Sequence, residues 1–391
     1  MADVPDRQAL AGVSPGRGLI ERLLTSRRFH AFAARTPFLR RIVRREGEAI
    51  FQLVQGFVQS QALMALVELR IFDALHHGPR TVLDLAHMAQ LPPERMQILL
   101  QAGAAMRLLK RQRDGRFSLS HRGLAFGAVP GLAAMVRHHS VLYRDLAEPV
   151  AFLRGQTDPG LSGFWPYVFG AAAAEDPGVA ATYSTLMADS QVLVAEDTLH
   201  LVDFRGIRHL MDVGGGTGAF LAAVGQAHPS LRLSLLDLPV VLGAAGARLG
   251  GRVTLCAGSF RDGPLPKGAD AISLIRVLYD HADETVVALL SSALNALPAG
   301  GRIVISEPMS GGTSPDVITD VYFAFYTLAM QTGRTRSGIE IAALLAGVGF
   351  VDIHHKSGPR PFVTSVVTAR KPGVALTAPP LAKRAAEETL T

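Results

Sequence analysis

The residues best placed to do chemistry lie at 207–221, IRHLMDVGGGTGAFL. There an apolar run reaches Asp212, breaks into Gly214, Gly215, Gly216 and Gly218, and then resumes. The pattern predicts a strand, a tight turn and a helix start. Glycines admit positive φ and let a ligand lie against the backbone, and the helix N-terminus offers free N–H groups to an anionic end. A second acid, Asp237, followed by Leu238, closes LRLSLLDLP. It lies at about the 20-residue spacing at which a carboxylate meets ribose hydroxyls. Together these residues predict a nucleoside-cofactor site. Gly214-x-Gly216-x-x-Ala219 also satisfies the looser dinucleotide fingerprint. Asp212, however, would repel a diphosphate and suits an ammonium. S-adenosylmethionine carries an ammonium, a carboxylate and a ribose but no phosphate, so it is the favoured cofactor.

The elements that would position these residues follow from the same stretch onward. LMDV, LSLLD, RVTLCAG, AISLI and RIVISE alternate with helical segments, which implies a parallel sheet covered on both faces. VDIHH and FVTSVVTARK add two closing strands. The fold expected is α/β, with a doubly wound, mostly parallel seven-stranded sheet of Rossmann-like type. The closing pair suits a methyltransferase sheet better than a second dinucleotide half. Ligands in such sheets sit beyond the C-terminal strand ends, where Asp212, Asp237, Ser259, Phe260, Arg276 and Glu307 fall. Asp283 reads as the N-cap of a helix starting at Glu284.

The preceding chain reads as three parts. Residues 1–45 form a basic arm whose arginine-rich part, 17–45, is interspersed with leucine, isoleucine and phenylalanine and predicts two short amphipathic helices broken near Pro37. Such an arm either packs on a partner subunit or lies on an anionic bilayer. Residues 46–130 hold a long apolar helix over 47–76, expected to be buried at an interface, then two helices joined at Leu91-Pro92 and a hairpin around Asp114-Gly115. This is a winged-helix layout. With only Arg95 and Arg107 as bases on the second helix it predicts a dimerisation module rather than a nucleic-acid binder. Residues 131–200 form a helical connector. His138 and His139 read as hydrogen-bonded helix histidines, and FWPYVF around Trp165 as a pocket wall or ordinary core. Residues 201–371 form the cofactor-binding domain, and 372–391 a tail expected to be disordered.

Composition narrows the classes further. The 391 residues carry a net charge of +6, 18% charged residues and one cysteine, Cys256, which excludes an intrachain disulfide and a cysteine-built metal cluster. No metal-ligand spacing is present, no signal-peptide pattern opens the chain, and no run is expected to reach the ~18 apolar residues of a membrane span.

Across nearly its whole length the chain resembles class I S-adenosylmethionine-dependent O-methyltransferases of the caffeate and hydroxyindole type. The resemblance rests on the winged-helix front, DVGGGTG, LLDLP, CAGSF, RVLYDHADE, LPAGGRIVISEPM and GRTRS before AGVGF. SRRF, GFVQSQ, MVRHH, FWPY, LMADSQ and DVYFAFYTLAM resemble in particular the carotenoid 1-hydroxy methyltransferases of anoxygenic phototrophs. The resemblance implies a homodimer joined through the front domain. It also implies S-adenosylmethionine held by Asp212, Gly214, Gly216, Gly218, Asp237, Leu238, Ser259, Phe260 and Arg276. The acceptor would be an apolar carotenoid, in a pocket drawn from Trp165, Met187, Glu307, Tyr322 and Tyr326. The location it implies is cytoplasmic, peripheral on the inner or photosynthetic membrane. A phenolic acceptor, a bacteriochlorophyll ring carbon, or an S-adenosylmethionine-sensing regulator are the alternatives.

Three positions depart from the family's pattern. Gly258-Ser259-Phe260 lacks the aspartate that contacts adenine. Tyr279-Asp280-His281 replaces the triplet that begins with the catalytic histidine. Thr335 stands where a glutamate orients that base. The phenol-methylating pair is therefore not carried over. A tertiary alcohol needs a base only as the new C–O bond forms, which leaves Tyr279 to hold the acceptor and His281 as the candidate base.

Overall fold

Strands buried on both faces need apolar side chains in both directions, so they read as near-continuous hydrophobic runs rather than alternating ones. This is what the five runs after Ile207 become in the computed structural model, which describes residues 36–164 and 190–373 together with Ser26, Phe29 and Phe32. Strands β3 (His209–Val213), β4 (Arg232–Asp237), β5 (Val253–Ala257), β6 (Ala271–Ile275) and β7 (Arg302–Glu307) pair in parallel. The closing strands β8 (Val351–Ser357) and β9 (Ser365–Arg370) complete a seven-stranded sheet of order β5-β4-β3-β6-β7-β9-β8, with β9 antiparallel to both neighbours. The doubly wound, mostly parallel sheet read from the sequence is the observed one.

Two cores form, one on each face. Met211, Val213, Ile272, Leu274, Ile303 and Ile305 pack with helices α11 (Asp283–Ala296) and α13 (Gly338–Val348). Leu210, Ala271, Ile275 and Val304 point the other way, onto α9 (Ala219–Ala227), α10 (Pro239–Leu249) and helical residues 190–201. A chain of buried hydroxyls, Thr198 to Ser306 at 2.6 Å and Ser306 to Thr364 at 2.7 Å, ties residues 190–201 to the sheet.

The contacts divide the chain into two units, residues 1–124 and 125–391, so the predicted connector shares a unit with the sheet. In the first unit α1 runs unbroken from Pro37 to Glu68. Proline tolerates the first helical position because its missing N–H is needless there, so Pro37 opens this helix, which runs well past the end at residue 45 expected of it; the helix expected before Pro37 lies mostly outside the described residues. The long helix predicted over 47–76 ends earlier: Arg70 takes a left-handed φ of 54° and α2 (Ile71–His76) begins anew. Helices α3 (Val82–Met88) and α4 (Pro93–Ala105) and the hairpin β1 (Leu109–Arg111) and β2 (Phe117–Leu119) supply the expected winged-helix layout. Burial on α1 departs from expectation. Leu66 and Val67 are buried, whereas Ile50, Phe51, Leu53, Val54, Phe57 and Val58 are exposed in the single chain. Residues 39–68 also contain an 18-residue window of mean hydropathy 1.4, long and apolar enough to cross a membrane by length and composition alone. Counting uninterrupted apolar residues missed it, because Gln52, Gln55, Gln59 and Gln61 punctuate the run.

The turn after β6, residues 276–283, matters most for the site and is pinned from two directions. Glu307, buried at the end of β7, accepts from the Leu278 amide at 3.0 Å and the Tyr279 amide at 3.3 Å. Arg336, also fully buried, donates to the carbonyls of Leu278 and His281, both at 2.8 Å, and to the Asp283 carboxylate. Asp283 is therefore not the N-cap expected of it: it is the first residue of α11, behind Ala282, and its carboxylate faces Arg336 and Arg334. Thr332 donates to the Asp280 carbonyl at 2.9 Å, and Gly333 sits so close to the Tyr279 carbonyl that no Cβ fits between.

Substituting Arg336→Met removes the donors of two buried carbonyls, and each orphaned group costs about 1–3 kcal/mol. Urea unfolding should show a loss of about 2–6 kcal/mol, and no change in the midpoint would mean that the turn holds without the guanidinium.

Candidate active site

The loop after β3 closes as its glycines require. Gly214, Gly216 and Gly218 have φ of 69°, 60° and 75°, a region that strains other residues. Asp212 lies beneath the loop, fully buried. Its Oδ1 accepts from Ser273 Oγ at 2.5 Å, while Oδ2 has no hydrogen-bond partner among the described residues. A Cβ on Gly215 would collide with that same oxygen. Burial, which penalises the charged form, pushes the Asp212 carboxyl up to about 7. Asp237 ends β4 beside the loop and accepts from the Gly216 and Leu238 amides, both at 2.7 Å. Burial raises it as well. The outer side of Gly216 is open, with nothing within 4 Å of a Cβ built there.

Along the sheet, Gly258 donates to the Asp237 carbonyl at 3.0 Å, and Ser259 Oγ accepts from the Arg261 amide at 3.0 Å. Phe260 meets His281 edge to face, with centroids 5.3 Å apart. His281 is buried and takes a hydrogen bond on Nδ1 from Arg261 Nη2 at 2.9 Å. Burial, and then the charges of Arg261 and Arg336, push its pKa down to about 3. The strand-end neighbours of His281 are thus Phe260 and Arg261.

Tyr279 has different neighbours. Arg276, with φ 58°, donates to the Tyr279 hydroxyl from Nε at 3.2 Å and Nη2 at 3.1 Å, and to Ser190 Oγ from Nη1 at 2.8 Å. The phenol oxygen is occupied as an acceptor, and its own proton remains to be donated. Burial drives Tyr279 well above the ordinary phenol range despite the guanidinium. Asp280 and Glu307 each keep one buried carboxylate oxygen without a partner among the described residues, and burial raises both, Glu307 to about 7.

Behind Tyr279, a π-helical turn at Ile318–Phe323 leads into α12 (Ala324–Met330) and presents Tyr322 and Tyr326. Both meet histidines of α6 (Leu132–Asp145): His138 Nε2 to Tyr326 Oη at 2.8 Å, and His139 Nε2 to Tyr322 Oη at 2.7 Å. The reading of these histidines as hydrogen-bonded helix residues matches this geometry. Trp165 and Met187 lie outside the described residues.

Two carboxylates flank a loop whose outer side is open, and the buried Asp212 oxygen lacks a donor. That set suits a cationic ligand bearing an ammonium and a ribose and disfavours a diphosphate, so the residues present fit S-adenosylmethionine. Sequence reasoning missed Arg336 and Arg261 as neighbours of the Tyr279–His281 turn. Arg336 lies within the GRTRS segment already singled out, but no pattern marks an arginine as buried.

The chain was compared with known proteins. The O-methyltransferase domain family matches residues 143–351, and the O-methyltransferase dimerisation domain family matches residues 51–126. The chain is 62% identical to demethylspheroidene O-methyltransferase of Cereibacter sphaeroides, over 90% of this chain and 94% of that one. It is 52% identical to the enzyme of the same name from Rhodobacter capsulatus, over 94% and 93%. Among solved structures, human N-acetylserotonin methyltransferase in complex with S-adenosylmethionine shares the fold, with a TM-score of 0.73 at 23% identity over 84% of this chain and 98% of that one. The exposed apolar residues of α1 lie at the start of the dimerisation match. With both domains present in order and a bacterial relative 62% identical across most of its length, the chain belongs to the O-methyltransferase family.

Proposed function

We propose that this enzyme transfers the methyl group of S-adenosylmethionine to the 1-hydroxyl of an acyclic carotenoid of the demethylspheroidene or hydroxyneurosporene type, in carotenoid biosynthesis, and acts as a homodimer. The likeness at 62% and 52% identity to two demethylspheroidene O-methyltransferases supports the acceptor. The observation in the site that carries it is the division of labour at residues 279–281. His281 receives a hydrogen bond from Arg261, and a tyrosine whose oxygen is held by Arg276 stands in place of a phenol-deprotonating histidine. This arrangement suits an alcohol, which keeps its proton until the new bond forms.

S-adenosylmethionine supplies an electrophilic methyl group on a sulfonium. Asp212 and Asp237 place negative charge beneath and beside the glycine loop, and Asp237 retains lone pairs for ribose hydroxyls. Tyr279 donates to the acceptor oxygen and holds it in line, and holding two reacting groups in near-attack geometry supplies most of what such a displacement needs. Tyr322, bonded to His139, contributes to the wall of the acceptor pocket, and Glu307 holds the turn that carries Tyr279.

The arm at 17–45 gives the enzyme contact with an anionic bilayer, where a carotenoid resides. Arg40, Arg41, Arg44 and Arg45 are exposed at the start of α1, with Phe32 and Ile42 exposed among them. Cationic side chains near such a surface contribute about 1 kcal/mol each. These residues support a cytoplasmic enzyme peripheral on the photosynthetic membrane.

Methyl transfer from labelled S-adenosylmethionine, offered a detergent-dispersed 1-hydroxy acyclic carotenoid beside a catechol, should label the carotenoid alone; label in the catechol alone would return the enzyme to the phenol branch. Cofactor affinity measured by calorimetry should weaken as pH falls through about 7, because the form of Asp212 that attracts a cation is the one lost on protonation. Asp212→Asn should weaken binding and flatten that dependence, and a variant that still follows the wild-type curve would remove Asp212 from the cofactor site. Deleting residues 1–45 should lower binding to anionic vesicles in a salt-sensitive way with cofactor affinity intact; unchanged vesicle binding would discard the membrane role.

A further inference from the structure

The family resemblance leaves this enzyme without its usual base, and His281 is committed to Arg261. Another group has to take the acceptor's proton. Two histidine–tyrosine pairs of the same chemistry lie between α6 and residues 318–330. They differ in burial. His138 and Tyr326 are 8% and 6% exposed, and Tyr326 packs into a core with Leu142, Phe152 and Leu161. His139 and Tyr322 are only partly buried, which makes theirs the more open of the two pairs. Helix α12 packs on residues 278–280 of the turn that holds the acceptor, and the Tyr322 ring lies beside that of Tyr326, with centroids 5.9 Å apart, so both pairs lie next to that turn.

We propose that Tyr322 and His139 form the proton relay of this methyltransferase, in place of the family's histidine base. The proposal rests on the methyl-transfer reading above. In the tautomer with the proton on Nδ1, His139 Nε2 accepts from Tyr322 Oη over 2.7 Å. The acceptor oxygen forms its bond to the methyl carbon while the electron pair of the breaking carbon–sulfur bond stays on sulfur. The hydroxyl proton passes to Tyr322 Oη as the tyrosine's own proton moves to His139 Nε2, leaving an imidazolium that returns its proton to solvent. Tyr322 touches substrate; His139 acts through it.

The surroundings keep His139 ready to accept. It faces the rings of Tyr143 on its own helix and Tyr322 opposite. Its sequence neighbour His138 is paired with Tyr326. Helix α8 (Gly160–Phe164), which also packs on α6, has no ionisable side chain, and Asp145 is engaged with its amides. Among the described residues its ring and hydrogen-bond contacts include no carboxylate, and burial lowers its pKa from 6.5, so the neutral base predominates at neutral pH.

The test uses the full-length enzyme at saturating cofactor, with the carotenoid acceptor or whichever acceptor the labelling assay identifies. His139→Gln preserves a hydrogen bond but accepts no proton. It should lower kcat about 100-fold, leave KM and cofactor affinity unchanged, and abolish the acid limb in kcat expected of the wild type, which burial of His139 sets below the ordinary imidazole range. Tyr322→Phe should do the same. His138→Gln should lower Tm while keeping wild-type kcat and its acid limb. A His139→Gln enzyme with wild-type kcat and an intact acid limb would overturn the relay, as would equal kinetic losses in the His138 and His139 variants. Failure of the methyl-transfer reading is distinct: there the wild type labels no acceptor.

Discussion

The acceptor side of this enzyme depends on one buried cation. Arg336 has no exposed surface, yet it bonds two carbonyls of the turn after β6 and the carboxylate that opens α11. A buried guanidinium is costly unless its donors are met, and here its partners come from one short stretch of chain. Glu307 holds that stretch from the opposite side through its amides. Between these two charges Tyr279 and His281 are set facing different neighbours, and the chemistry assigned to each follows from that placement.

The site divides electrostatically. Acids lie under and beside the glycine loop, where Asp212 and Asp237 suit the cationic cofactor proposed there. A guanidinium lies at the acceptor end, where Arg276 occupies the phenol oxygen. Burial raises every carboxyl involved and raises Tyr279 too. A buried tyrosine of high pKa donates a hydrogen bond without ionising. That is what a tertiary alcohol needs from a positioning group, since its own proton leaves late.

The first unit answers a different demand. An amphipathic helix that leaves Phe51, Leu53, Val54 and Phe57 in solvent must be covered in the working protein, and the dimerisation-domain match begins at these residues. The arginines at the start of the same helix belong to the arm that we assign to the membrane.

The glycine loop, its two acids and the seven strands could all be read from the chain, because local rules govern them. Positive φ needs glycine, and doubly buried strands need unbroken apolar runs. The missing phenol base was equally plain, since it depends only on which residue types stand at 279–281 and 335. The extent of α1 was misjudged because the helix opened at Pro37 runs on to Glu68, and because Arg70 adopts a left-handed turn that its residue type does not announce. Asp283 looked like a cap and instead serves Arg336, a partner 53 residues away. His139 and Tyr322 are 183 residues apart, and only the packing of α6 on residues 318–330 brings them to 2.7 Å. Sequence by itself determined the fold, the cofactor loop and the family, since each is a matter of residue type and local spacing. Tertiary structure decided which side chain meets which, because burial and long-range partners choose between a histidine that is held and one that is able to accept a proton.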